Sequence, residues 1–208
     1  MSLRLAVLLS GEGTNLQAIL DTVHGREGIE VVGVASSKRG APGLERARRA
    51  GVETAVFAIA DHDDRPARDA AMADWLEARR VELVVLAGFM EILSVDFIRR
   101  FDGRIINVHP ALLPAFAGVR AIEQAIEHGV KVMGVTVHFV DEGVDSGPII
   151  LQEAFEPPPS ADREEIELMI HAIEHRLLPR AIRLIAAGSV SVDRDNPRLV
   201  RIEDGQDG

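Results

Sequence analysis

No cysteine occurs among the 208 residues. This excludes disulfides, a thiolate nucleophile and a Cys-type zinc site, and it leaves reducing and oxidising compartments equally open. Basic charge is also short: 23 Lys and Arg stand against 33 Asp and Glu, a formal net charge of −10. Sequence-blind nucleic-acid binding needs a basic footprint, so that class is excluded, whereas a local anion site is not. No apolar run approaches the ~20 residues that cross a bilayer. Residues 3–9 are interrupted by Arg4 and run into a glycine turn without a small-residue cleavage pattern. They read as a buried strand and not as a signal peptide, so a cytoplasmic location is expected. There is no internal repeat and no Gly-x-Ser-x-Gly elbow, so covalent acyl-enzyme chemistry has no support.

What is present suffices for a substantial core, since 47% of the residues are hydrophobic. Short apolar, β-branched runs at 3–9, 30–35, 53–57, 82–87 and 104–108 alternate with helical patterns at 15–24, 42–50, 65–79 and 94–100. This order predicts an α/β fold, a Rossmann-like parallel sheet flanked by helices on both faces. Beyond His109 the character changes. A helix over 121–128, strands over 131–140 and 148–155 and a long helix over 162–187 predict an antiparallel extension in the C-terminal part. Ser160 or Asp162 is the expected N-cap of that helix, Gly188 its stop and Pro179 a point where it kinks. A hairpin over 190–193 and 198–202 and a polar tail over 203–208 complete the reading.

Two segments carry chemistry. Ser10-Gly11-Glu12-Gly13-Thr14-Asn15 joins the first strand to the first helix, where main-chain N–H groups and the helix dipole favour an anion. Leu16 stands where a dinucleotide fingerprint needs its third glycine, and no Gly-Lys-Ser/Thr ending follows. The remaining readings are a phosphate cradle formed by Gly13, Thr14 and Asn15, or a plain turn in which Thr14 or Asn15 caps the helix. The second segment is Asn107-Val108-His109-Pro110-Ala111-Leu112-Leu113-Pro114, with Asp145-Ser146-Gly147-Pro148 downstream. Alternate strand residues share a face, so Asn107 and His109 lie roughly 6.6 Å apart along the strand on one side of it. No histidine stands four residues from His109, which is poor metal-ligand spacing. Direct attack of a substrate amine on an activated carbonyl fits this set better. His109, preferably as imidazolium, and the Asn107 amide would stabilise the oxyanion, and Asp145 would pair with His109 and help remove the amine proton. Gly143 and Gly147 would let the Asp145 loop bend into the site.

Taken in order, Leu9-Ser10-Gly11-Glu12-Gly13-Thr14-Asn15-Leu16-Gln17-Ala18-Ile19, Gly43-Leu44-Glu45-Arg46-Ala47, Leu86-Ala87-Gly88-Phe89-Met90, Asn107-Val108-His109-Pro110, His138-Phe139-Val140 and Asp145-Ser146-Gly147-Pro148-Ile149 resemble the phosphoribosylglycinamide formyltransferases, the small folate-dependent class of purine biosynthesis. The resemblance covers residue 3 to about residue 188. It implies formyl transfer from 10-formyltetrahydrofolate to the amine of glycinamide ribonucleotide, with no metal, no nucleic acid and no membrane partner. It implies Asn107, His109 and Asp145 as the catalytic trio, and Gly13, Thr14 and Asn15 as holders of the substrate phosphate. Met90, Glu91, Ile92 and Leu93 would form the folate-site segment, joined by Asn107 and Arg65, and Glu174 would contact the ribonucleotide. Without the resemblance, Met90 to Leu93 read as core packing and Glu174 as a solvated helix face. The whole of 1–208 is expected to be one formyltransferase domain, with a phosphate-binding half at 1–108, a folate and catalytic half at 109–188 and a hairpin and tail at 189–208.

Some positions depart from the family pattern. Glu91 stands where relatives often have Arg, Ala111 replaces the usual Ser, Ala115 stands where a basic residue is common, and Ser146 replaces a Gly. Arg120 is a candidate to supply the positive charge that Ala115 lacks. The trio also occurs in methionyl-tRNA formyltransferases and formyltetrahydrofolate deformylases. The former carry an additional C-terminal domain and the latter an N-terminal regulatory one; here little follows Gly188 and the first strand begins at Leu3. A deformylase-type hydrolase and a non-catalytic phosphate-binding module are the alternative readings.

Overall fold

The computed structural model describes residues 2–203, which group into two compact units, 2–107 and 108–203. The first unit is built on β1 (Leu3–Leu9), β2 (Ile29–Ser36), β3 (Thr54–Val56), β4 (Leu83–Leu86) and the start of β5 (Ile105–His109). These strands pair in parallel in the order β3, β2, β1, β4, β5. Leu5 to Leu9 are all fully buried, as expected of a strand covered on both faces and not of one half exposed to water. The crossovers are α1 (Thr14–Thr22), α2 (Pro42–Arg49), α3 (Arg65–Ala78) and α4 (Val95–Arg100).

Local chemistry explains the helix ends. Pro42 opens α2, and Arg46, Arg48 and Arg49 sit at its C-terminal end, where cations oppose the helix dipole. Asp64 caps α3 by accepting from the Ala67 N–H at 2.8 Å, and Ser94 caps α4 by accepting from the Phe97 N–H at 3.3 Å. At Gly33 of β2 an added Cβ would lie 2.5 Å from the Trp75 ring of α3, so only glycine lets this helix approach the sheet so closely.

The second unit contains α5 (Ala121–Glu127), β6 (Met133–Phe139), β7 (Ile149–Phe155), α6 (Arg163–Ala186) and the hairpin β8 (Val190–Val192) and β9 (Val200–Ile202). Strands β6 and β7 pair antiparallel from Met133 opposite Phe155 to His138 opposite Ile149, and α6 packs on both. Asp162 is the N-cap of α6 and forms a capping box with Glu165. The helix continues through the buried Pro179, and Gly188 follows its end in the left-handed region, φ 70°.

The α/β class, the parallel helix-flanked sheet and the antiparallel C-terminal strands all agree with the sequence. The differences lie at element ends. Strand β3 is one residue shorter at each end than expected, although the Phe57 N–H still donates to the Ser36 carbonyl at 2.8 Å and its ring sits edge-on to Trp75. Strand β5 runs one residue further, so His109 belongs to the strand and Pro110 ends it. The expected polar tail past Glu203 lies outside the described residues.

Candidate active site

In the second unit the chain leaves β5 at His109 and returns to it. Thr136 of β6 is fully buried, and its hydroxyl is saturated. It donates to the Ala111 carbonyl at 2.7 Å and accepts from the Leu113 N–H at 3.1 Å and from Gln152 Nε2 at 2.9 Å. Gln152 of β7 also donates to the Leu113 carbonyl at 2.9 Å. This polar bracket fastens Pro110 to Pro114, whose Leu113-Pro114 peptide is cis, and the loop brings the Phe116 carbonyl 2.9 Å from His109 Nε2. The other ring nitrogen, Nδ1, lies 3.3 Å from Asp145 Oδ2. A carbonyl and a carboxylate both only accept, so the two contacts are satisfied together by the doubly protonated imidazole.

Asp145 is the left-handed residue of its loop, φ 49°, a conformation that Asp tolerates better than most. The expectation for the loop glycines is therefore corrected in mechanism: neither Gly143 nor Gly147 has positive φ. Gly147 is needed for close approach, since a Cβ there would collide with the Phe139 carbonyl. Asp145 Oδ2 also accepts from the Gly118 N–H at 2.8 Å. Its other oxygen faces a residue to which the sequence reading assigned no role: His138 Nε2 lies 3.5 Å from Oδ1. His138 is buried, and its Nδ1 donates to the Phe139 carbonyl at 2.7 Å. Burial pushes the Asp145 carboxyl up, but His138, the Gly118 N–H and the His109 charge outweigh it and hold the group below its ordinary value.

On α6, Glu174 is buried and accepts from His171 Nδ1 at 3.0 Å. The solvated-face reading of Glu174 is thereby overturned. The hydrogen bond to Glu174 raises the His171 pKa, whereas burial lowers that of His175, whose ring stacks on His171 at 6.1 Å. The spacing His171, Glu174, His175 matches one seen in zinc-binding helices. Among the described residues, however, no cluster of three His, Cys, Asp or Glu side chains is arranged to hold a metal ion. No helix among them is long and apolar enough to cross a membrane.

In the first unit, the glycine loop places Gly13 at the N-cap of α1 with φ 73°. Thr14 and Asn15 lie inside the helix and so are not its caps, and Gly13 has no side chain to cap it. The loop is braced from α2: a Cβ on Gly13 would lie 2.6 Å from Gly43 Cα, the Gly43 N–H donates to the Gly11 carbonyl at 3.1 Å, and Arg46 Nε donates to the Glu12 carbonyl at 2.8 Å. Met90 and Ile92 are exposed by 72% and 63%, against core packing, while Leu93 is buried. Arg65 is exposed at the first position of α3. Asn107 is half-buried on β5, two residues before His109.

A family model described as Formyl transferase matches residues 3–182. The chain belongs to the formyl transferase family. Among its relatives, the phosphoribosylglycinamide formyltransferase of Haemophilus influenzae is 41% identical over 194 residues, covering 93% of this chain and 91% of that protein. The trifunctional purine biosynthetic protein adenosine-3 of Drosophila pseudoobscura pseudoobscura is 46% identical over 205 residues, 95% of this chain. The chain spans only 15% of the length of that relative. A crystal structure of glycinamide ribonucleotide transformylase 1 from Symbiobacterium toebii matches with a TM-score of 0.93 at 50% identity, covering 98% of this chain and 95% of that one. The matched span of the formyl transferase family model contains Gly13 to Asn15, Met90 to Leu93, Asn107, His109, Asp145 and Glu174.

Proposed function

We propose that this formyl transferase moves a formyl group from 10-formyltetrahydrofolate to the primary amine of glycinamide ribonucleotide, in de novo purine biosynthesis. The observation that carries the reading is the pair of buried His109 Nδ1 and half-buried Asp145 Oδ2 at 3.3 Å, with His109 Nε2 already donating to a carbonyl. An imidazole held this way is a carbonyl polariser, and its carboxylate partner is a proton acceptor. The formyl oxygen would replace the Phe116 carbonyl as acceptor from Nε2–H, and the Asn107 amide would donate to the same oxygen. The amine nitrogen attacks the formyl carbon, and Asp145 takes the amine proton directly or through water. The carbonyl re-forms as the donor nitrogen leaves with the proton that Asp145 took, returned directly or through water.

Holding the partners matters as much as the chemistry. On this reading Gly13, Thr14 and Asn15 bind the acceptor phosphate, and Glu174 contacts the ribonucleotide. Met90, Glu91, Ile92 and Leu93 form the donor segment, with Arg65 beside it, and residues 1–208 serve as one formyltransferase domain. The test is to mix the protein with donor and glycinamide ribonucleotide and to follow both donor loss and the formylated product. Release of free formate independent of the ribonucleotide would overturn the reading in favour of a hydrolase. Equal affinity for a phosphate-free acceptor would reject the cradle.

A further inference from the structure

The carboxylate of Glu91 turns towards a cation within its own unit. Arg68 of α3 has no exposed surface, and its Nη1 lies 3.4 Å from Glu91 Oε2. The same guanidinium grips Asp69 Oδ1 twice, through Nε at 2.8 Å and Nη2 at 2.7 Å, and Nη2 lies 3.5 Å from the Ile92 carbonyl. The second oxygen of Asp69 accepts from the Ser94 N–H at 2.6 Å. The Phe89 ring sits 5.9 Å from the guanidinium carbon. One buried arginine and its neighbouring aspartate therefore meet the chain at Phe89, Glu91, Ile92 and Ser94, on both sides of the exposed Met90 and Ile92.

A buried ionic cluster adds little net stability, because desolvation offsets most of the attraction. It does impose geometry, since a guanidinium offers its donors in a fixed planar fork and does not lose its charge. Nη1 makes no hydrogen bond within the structure, so the Glu91 carboxylate is the counter-charge standing nearest to it. We propose that Arg68 is the positioning residue of the Met90 to Leu93 segment, and that Glu91 serves it as an inward-facing counter-charge. The formyl donor then meets this segment through its main chain and the side chains of Met90 and Ile92, without a charge presented from position 91. The proposal rests on the assignment of this segment to the donor.

The experiment compares Glu91→Gln, Glu91→Arg and Ile92→Asp in the full chain, measuring KM for donor and acceptor separately. It is coupled to hydrogen exchange of the ligand-free proteins. Glu91→Gln is expected to raise donor KM by about three- to tenfold, and Glu91→Arg, which sets two arginines together, by more than tenfold. Acceptor KM should hold, and exchange should quicken only in the peptide spanning residues 89–96. If both Glu91 variants leave donor KM unchanged while Ile92→Asp raises it, the positioning role is overturned and the donor assignment stands. If Ile92→Asp is also silent, the donor assignment fails and the proposal falls with it. Equal losses in both KM values, with exchange quickened throughout the protein, would mark a merely structural residue and overturn the proposal. Arg68→Met is the direct variant; should it not fold, the Glu91 series decides.

Discussion

Asp69 in the first unit and Asp145 in the second are built alike and are held by different partners. Each accepts a main-chain N–H, from Ser94 at 2.6 Å and from Gly118 at 2.8 Å, and each faces nitrogen-bearing side chains with its oxygens. The partners differ. Asp69 is held by an arginine that never gives up its proton, inside a helix and without exposure. Asp145 is held by two histidines, on a left-handed loop residue whose side chain keeps 15% exposure. A permanent cation with no access suits a scaffold; under the proposed function, titratable partners with access suit proton transfer.

The comparison breaks most visibly in turnover. His109→Ala and Asp145→Asn should each lower kcat by roughly 10² or more with modest change in substrate binding and in thermal stability. Steady-state kinetics beside melting curves would check this, and unchanged turnover in either variant would remove that residue from the mechanism. Asp69→Asn should do the opposite. Breaking a buried pair from one side costs about 3–5 kcal/mol of stability, so denaturant unfolding should shift sharply while kcat per folded molecule changes little.

The effect of His138→Asn should be smaller. It removes the partner of Asp145 Oδ1, so kcat should fall by about tenfold, and the Asp145 carboxyl should titrate closer to its ordinary value of about 3.9. Carbon-detected NMR titration of the carboxylate would show a rise; an unmoved value would mean that His138 does not hold Asp145. The smallest effect is expected at His171, whose side chain is 46% exposed. Its pKa is raised on folding by the bond to Glu174, so its contribution is fully present below the unfolded value of about 6.5 and is lost as pH rises through the folded value. After discounting for solvent screening, His171→Gln should cost well under ~1 kcal/mol at pH 5.5 and nothing measurable at pH 9. A cost that persists at pH 9 would show that packing, and not charge, is its contribution.

Much of the fold was legible because it is written in local rules. The unbroken apolar run Leu5 to Leu9 can be satisfied only in a strand covered on both faces, and Asp162, one of two N-cap candidates, opens α6. The pairing of His109 with Asp145 was legible as chemistry, since an imidazole at a strand end and a carboxylate between glycines suggest one another. Other features were not legible. Arg68 beside Asp69 reads as two solvated charges on a helix, and only the position of Phe89 to Ser94 shows that both are buried. Met90 and Ile92 read as core because side-chain polarity does not encode exposure. His138 lies in a strand whose every residue is buried, and nothing local distinguishes a packed imidazole from one facing a carboxylate.

By itself the sequence determined the order of strands and helices, the places where the chain leaves the sheet and the residue types available for formyl chemistry. Periodicity, capping and the pyrrolidine ring act within a few residues, so these matters are settled locally. Tertiary structure alone decided that Asp145 is shared by two imidazoles, that Glu91 turns inward to a buried arginine and that Glu174 is drawn out of solvent. Burial and charge pairing depend on what other segments bring within a few ångströms, and that is a property of packing that no single stretch of sequence contains.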